Sequence, residues 1–361
     1  MTSSAQPIYP GQDFYVPTFE VNPPGRRMAR DVLHDVIDVS YADGISQIDS
    51  FTFTVNNWDA RTRAFKYSDG ATFLPGRKLE LWMGYRGGAG LRRLMTGEIT
   101  SLRPSFPATG QPTLAVTALN VLHRFRDRQQ TVVYEKKTDS QIAKQIGDRL
   151  GVQVHTAPRN EQPYPYLLQD NEYDIVFLLD RARRIGYDLW VEEEQRSGRS
   201  VLHFEPSAAL RRVAYRLTWG KSLLEFEPTL TIARQVNQVV VHAWDRRLKK
   251  KIKATARRAD IGGHADQEVE RAFAQRAEVT SVVVANEQEA NRIAQDRLRD
   301  IAHDMIQASG STVGLPDLRA GSKLRIDGLG RRFDGTYFAT GTRHVQNDSG
   351  YRTSFECRRE S

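Results

Sequence analysis

The chain carries one cysteine, Cys357, in 361 residues. A single thiol cannot close an internal disulfide, and it excludes a thiolate-rich zinc site as well. Long apolar runs are also missing. Ile175–Leu179 and Val282–Ala285 are among the longest, far short of the ~20 residues that cross a bilayer, so membrane insertion is not expected. The opening stretch MTSSAQPIYPGQDF lacks the basic segment and apolar stretch of a secretory signal. Synthesis and assembly in a reducing cytoplasm are expected. The eight histidines are His34, His123, His155, His203, His242, His264, His303 and His344. None stands at metal-ligand spacing from another His or from Cys357, and no H-E-x-x-H occurs. The G-x-S-x-G elbow and the G-x-x-x-x-G-K-[ST] phosphate loop are absent too. No catalytic residue, cofactor or metal site is expected.

What is present suits a water-facing protein with real cores: 39% hydrophobic and 27% charged residues, with aromatics along the whole length. The length calls for two or three domains. After a Pro- and Gly-rich arm over 1–30, period-two alternation begins. Ile37, Val39 and Tyr41, then Phe51, Phe53 and Val55, mark two strands around the turn Ala42–Gly44. Further strands fit Lys78–Tyr85, Leu94–Arg103 and Thr113–Leu119, which together suggest a small all-β barrel or sandwich.

The pattern changes after Arg128. Thr138 with Gln141 forms a capping box, and Ile142, Ala143, Ile146 and Leu150 make one helical face that stops at Gly151. A second helix is expected to open near Asn171 and to stop at Gly186, with Ile175, Leu178, Leu179, Ala182 and Ile185 on one stripe. A hairpin over Tyr187–Glu205 completes a compact α/β unit. From Leu223 the chain returns to strands. Gln238–Trp244 and Leu248–Ala256 form a long hairpin, and Asn286 with Glu289 caps a helix over 286–307. The buried stripe of that helix is Ala290, Ala294, Leu298, Ile301 and Met305. The expected organisation is an arm and first barrel over 1–128, an α/β insertion over 129–222, and a second barrel with the extra helix over 223–361. The fold class is mainly β with α+β parts.

Two stretches repeat one another. Gly76, Lys78, Leu79 and Leu81 align with Gly321, Lys323, Leu324 and Ile326. Arg92–Leu94 aligns with Arg331–Phe333, and Thr113–Leu119 with Arg352–Arg358. A duplicated domain in a trimer would present six quasi-equivalent units around one axis.

Four stretches in order resemble the phage late control protein D family, which includes contractile-tail hubs and the N-terminal part of VgrG spikes. They are Asp35–Asp59 with FLPGRKLELWMGY and LMTGEITSLRPSFP, then Leu119–Val152, then Gln169–Pro206, and last the run from Asn286 through GLPDLRAGSKLRIDGLGRRFDGTYFATGTRH. The resemblance implies a homotrimeric baseplate hub with two tube-like barrels per chain. Such a hub joins a hexameric inner tube to a trimeric central spike, beside other baseplate proteins, first in the cytoplasm and then in the assembled particle. Because no β-helical segment follows before Ser361, the spike is expected to be a separate protein.

The strongest charged feature is DRRLKKKIKATARR, Asp245–Arg258, with eight basic residues against one acidic. Arg246, Arg247, Lys249, Lys250, Lys251 and Lys253 are the candidate interface residues. Charges this dense must be solvated or meet an acidic partner. A protein interface is favoured. The alternative is a basic module for nucleic acid or an acidic cargo, weakened because only Trp244 supplies an aromatic for base stacking. Glu192–Glu194 reads as a solvated cluster at a hairpin end. Gly84–Gly88 and Gly328–Gly330 read as hairpin turns. Cys357, alternating with Phe355, reads as a small core residue rather than half of a pair with His344.

Overall fold

The computed structural model describes residues 16–45, 47–86, 90–159, 161–194, 199–206, 213–245, 249–260, 271–272, 274, 276–281 and 286–360. Arg246, Arg247, the run Val282–Ala285, most of the 257–278 stretch and the tip of the 195–199 turn lie outside the described residues.

The first unit is built from β1 (Pro17–Asn22), helix α1 (Arg30–His34), β2 (Val36–Gly44), β3 (Ser50–Asn56), the short ribbon β4 (Trp58–Asp59) and β5 (Ala64–Phe65), β6 (Lys78–Tyr85), β7 (Leu91–Ser105) and β8 (Thr113–Leu119). Its main strands pair in the order β1-β6-β7-β8-β3-β2. Side chains alternate across a strand, so Val39, Tyr41, Phe51, Phe53, Val55, Leu81, Met83, Val116 and Ala118 all fall on one concave face and form one core. Ile37 departs from the expected alternation and is exposed. Val36 faces Val55 and Asp38 faces Thr54, so Ile37 is the extra residue of a bulge that re-phases the strand.

The α/β unit contains β9 (Gln129–Tyr134), α2 (Asp139–Leu150), β10 (Gln153–Thr156), β11 (Leu167–Tyr173), α3 (Asp174–Arg184), β12 (Tyr187–Glu193) and β13 (Ser200–Pro206). Helix α2 starts and stops where the sequence places it. Thr138 accepts from the Gln141 amide, the Gln141 side chain bonds back, and Gly151 closes the helix at φ 68°. A cap of this kind is worth about 1 kcal/mol. Gly147 lets the helix lie against the next strand, since a Cβ there would stand 2.2 Å from a Val154 methyl. Helix α3 begins three residues later than expected, at Asp174. The residues before it belong to β11: Gln169, Glu172 and Tyr173 pair with β9, and Asn171, in the bulge between them at φ 51°, donates its N–H to Thr131 Oγ1, so pairing across the chain overrides the local helical stripe. This core runs from Leu122 and Phe125 to Leu202 and Phe204.

The second unit takes β14 (Val213–Thr218), β15 (Leu223–Leu230), β19 (Ile306–Val313), β20 (Lys323–Asp327), β21 (Gly335–Asn347) and β22 (Gly350–Arg359). Between them the chain makes a hairpin of β16 (Gln238–Asp245) and β17 (Lys250–Arg257), then β18 (Ala277–Ser281) and helix α4 (Glu287–His303). The three strands order as β17-β16-β18. They bury Val239, Val241, Ile252, Ala254 and Ala256 against Ala290, Ala294, Leu298 and Ile301 in a core of their own. The helix and the basic hairpin therefore pack on each other, while Met305, past the helix end, belongs to the second unit's core. The cores divide the chain near Val121 and between Pro206 and Val213, because β14 pairs with β20 and returns to the second unit before residue 223.

The two large units share one strand order and differ at one edge, where β14 runs parallel to β20 but β1 runs antiparallel to β6. The second orders as β15-β19-β22-β21-β20-β14, matching β2-β3-β8-β7-β6-β1. Ile99 and Ala339 each precede a one-residue bulge, and Ile37 and Leu224 are equivalent bulges. Even the entry turn repeats. Gly76 (φ 83°) donates to Ile99 O and Ile99 to Arg77 O; Gly321 (φ 84°) donates to Ala339 O and Ala339 to Ser322 O. Glycine is required at both turns because a side chain would be strained at that φ. The repeat seen in the sequence is a repeat of backbone hydrogen bonds.

Candidate assembly site

The two units fuse along one ladder. β2 pairs antiparallel with the distal half of β21, from Val39 opposite Gln346 to Gly44 opposite Gly341, and this joins both into one 12-stranded sheet. Ile45 N donates to Thr340 O at 3.0 Å. The alternation of antiparallel bonds then makes Tyr41 and His344 a reciprocal hydrogen-bonded pair.

A buried polar network lies behind that ladder. Arg319 Nε donates to Asp43 Oδ2 at 2.6 Å and its Nη1 to Leu94 O at 2.9 Å, its Nη2 reaches the Tyr41 hydroxyl, and the guanidinium lies 4.6 Å from the Tyr41 ring centre. Asp43 also accepts from Ala320 N and from the Thr342 hydroxyl. His344 Nε2 lies 3.0 Å from Leu318 O, and since a carbonyl only accepts, that nitrogen carries the proton. Nδ1 then accepts from Tyr351 at 2.9 Å and Thr353 at 3.1 Å. Burial pushes the His344 pKa down to about 4, so the ring is neutral. Burial and the neighbouring Asp43 push the Asp49 carboxyl well above its ordinary range, against the opposing pull of Arg319 and Asn120.

By equivalence, two edges correspond to this junction. Ser101–Ser105 of β7 is the counterpart of 341–345 in β21, and Phe226–Leu230 of β15 is the counterpart of Val39–Asp43 in β2. Where Thr342 and His344 are buried, their counterparts Leu102 and Pro104 are half-buried and exposed, respectively. Among the described residues no strand pairs with either edge. Each edge also carries a proline. Asn57 N donates to Pro112 O, which sets the phase of β8 and turns the Pro104 nitrogen outward. Thr231 N donates to Met305 O, which does the same for Pro228 in β15. Pro228 is the counterpart of Tyr41 and Pro104 of His344.

The basic hairpin shows one open face. Ile252, Ala254 and Ala256 point to α4, so Lys251, Lys253, Thr255 and Arg257 point outward, with Lys249 and Lys250 exposed at the tip. Trp244 pairs opposite Lys251 and is 48% exposed. Sequence reasoning did not place Trp244, His242 and Val279 on the same face as the lysines; the pairing of β16 with both β17 and β18 does.

Other candidates resolve plainly. Cys357 is buried in the second unit's core, and burial pushes its thiol well up. His344 spends both ring nitrogens on the network above. Gly84 lies within β6, opposite Leu91 of β7, and Gly328–Gly330 between the antiparallel strands β20 and β21, so neither opens a helix; Gly87 and Gly88 lie outside the described residues. Glu192 is exposed, as expected of the acidic run, and lies 3.4 Å from His203 Nε2. His155 and His203, far apart in the chain, stand side by side on β10 and β13 and share the Glu205 carboxylate, an arrangement that sequence spacing could not show.

The family model described as "Alg8 N-terminal domain" matches residues 15–348. The chain belongs to that family. No curated protein matches it. Among solved structures, the chain is similar in fold to a tail protein from Neisseria meningitidis MC58, with 14% identity, a TM-score of 0.67, and coverage of 96% of this chain and 97% of that one. It is similar to the prophage MuSo2 43 kDa tail protein of Shewanella oneidensis, with 13% identity, a TM-score of 0.68 and coverage of 95% and 98%. It is also similar to the E. coli c3393 protein, a component of the type VI secretion system, with 12% identity, a TM-score of 0.62 and coverage of 95% and 77%. At such identities the likeness is one of fold: a mostly β chain of large antiparallel sheets. No helix among the described residues is long and apolar enough to cross a membrane.

Proposed function

We propose that this chain is a structural baseplate hub of a tail-like injection machine. It works as a homotrimer that joins a hexameric inner tube to a trimeric central spike and contacts other baseplate proteins. The observation that carries this reading is the shared strand order of the two large units, with one junction filled inside the chain and, among the described residues, no strand on its counterpart. Three copies would close a ring of six units if the β15 edge of each chain lay beside Ser101–Ser105 of the next. Pro228 and Pro104 would then face one another where Tyr41 and His344 exchange bonds. Proline offers no N–H, so this contact rests on side chains, and the prolines keep both edges from recruiting arbitrary strands. The fold likeness to tail proteins and to a type VI component supports the reading, as does the resemblance to the late control protein D family.

The hub reading gives the chain no catalytic role and no cofactor. It has the chain assemble in the cytoplasm and then form part of the particle. The open face of Lys249, Lys250, Lys251 and Lys253 would meet an acidic protein surface. The alternative, a module for nucleic acid or an acidic cargo, draws on Trp244 beside Lys251. Native mass spectrometry separates the two. A particle of about 123 kDa, three copies of a 41.0 kDa chain, that caps purified tube is the expected result. A monomer that shifts DNA and ignores tube would overturn the hub.

A further inference from the structure

The polar face of the β10-β13-β12 sheet gathers a set of ligating groups that the hub reading does not use. His155 on β10 is the register partner of His203 on β13, and Glu205 lies two residues further along the same face. Glu205 Oε1 stands 2.6 Å from His155 Nδ1 and 2.7 Å from His203 Nδ1. One potential ligand atom from each residue lies within 4.8 Å of the other two. The opposite face of these strands, with Leu189, Leu202 and Phe204, is packed into the α/β core, so the three groups stand on a fixed platform.

The surroundings fit a metal ligand set. Trp190 stacks on the His203 ring at 4.9 Å and 11°, which sets its plane. The far nitrogen of that ring, Nε2, lies 3.4 Å from Glu192 Oε2. A histidine that binds metal through one nitrogen commonly donates the other N–H to a carboxylate, which orients the ring and raises its basicity. Glu205 has its side chain only 6% exposed. Its Oε1 is held between the two histidine Nδ1 atoms. His155, with its side chain 59% exposed, leaves the site open to solvent on one side.

We propose that His155, His203 and Glu205 bind one divalent transition ion, of the class that favours imidazole with a carboxylate, such as Zn²⁺. The ion takes Nδ1 of both histidines and a Glu205 oxygen, with water in the remaining position, and Glu192 orients His203 from behind. Bonds of about 2.1 Å at tetrahedral angles hold neighbouring ligand atoms about 3.4 Å apart. The carboxylate must therefore withdraw by about 0.7 Å, within reach of a Glu rotamer. Each ring coordinates through Nδ1 as a neutral imidazole, so its one proton sits on Nε2, where His203 donates to Glu192. The ion would tie β10, a four-residue edge strand, to β13.

The test uses untagged, chelator-treated full-length protein and ZnCl₂. Calorimetry should show one ion per chain, and thermal unfolding should shift upward with Zn²⁺. His155→Ala changes an exposed side chain and leaves the fold intact; it should weaken binding by at least about 100-fold, and Glu192→Gln by about 10-fold. His242→Ala, on the other sheet, should change nothing. Absence of saturable binding, or equal binding by His155→Ala and wild type, would overturn the proposal and leave a hydrogen-bonded carboxylate. Neither result depends on whether the chain forms a trimer.

Discussion

Arg319→Met isolates the seam between the two units. The substitution keeps an apolar stem of similar reach but removes the guanidinium that bonds Asp43 at 2.6 Å and Leu94 O at 2.9 Å. Asp43, whose side chain is 6% exposed, keeps only the Ala320 amide and the Thr342 hydroxyl as donors. Removing one partner of a buried ion pair costs about 3–5 kcal/mol, because the other charge is left uncompensated. The Arg319 side chain is 26% exposed, so water reaches part of the site and the lower end, about 3 kcal/mol, applies. At roughly 2–4 °C per kcal/mol for a chain of this size class, the melting temperature should fall by about 6–12 °C. Urea titration and scanning fluorimetry at fixed protein concentration measure it. The double variant Asp43→Asn, Arg319→Met removes the orphaned charge and should cost less than the two single changes added together, by about 1.5 kcal/mol or more. A loss under about 1 kcal/mol for Arg319→Met, or strict additivity, would refute the seam as the element that fixes one unit on the other.

Two further outcomes are expected. His344 has a folded pKa of about 4 against 6.5 unfolded, so between those values the unfolded chain binds a proton that the folded chain refuses. Its contribution is complete above pH 6.5 and is lost as pH falls towards 4, by about 3 kcal/mol in all. The raised Asp49 acts with the opposite sign, so the comparison is with His344→Gln, whose stability should fall less steeply across that window; equal slopes would refute the assignment. Reversing Lys249, Lys250 and Lys251 to Glu should weaken co-assembly with purified tube while leaving melting unchanged, since all three are exposed. Unchanged co-sedimentation would remove the hairpin from the interface.

Much of the fold was legible locally. The strands Lys78–Tyr85 and Thr113–Leu119, the Thr138 capping box with its Gly151 stop, and the Asn286 cap all stand where propensity and period place them. The errors have a common source. The stripe of Ile175, Leu178 and Leu179 predicts a helix from near Asn171, yet β11 holds the chain up to Tyr173 and the helix starts at Asp174. Ile37 was read as inward because a bulge leaves no mark in an alternating pattern. The stripe of the helix after Asn286 shows that the helix is covered, and only the fold shows that the basic hairpin covers it. The candidate site was legible only in part: the lysine-rich strand was, whereas Trp244 beside Lys251 and the His155–His203–Glu205 group depend on which strands became neighbours.

From the sequence alone came the duplication itself, because Gly76 and Gly321 must both take positive φ and the alternating strands beside them must face inward. Those are constraints between near neighbours in the chain, and they are written locally. Only the tertiary structure decided that β2 lies on β21, that Pro104 and Pro228 face outward from equivalent edges, and that two distant histidines share one carboxylate. Each of these depends on the phase of a ladder between remote strands, which is set by the closure of whole sheets around their cores.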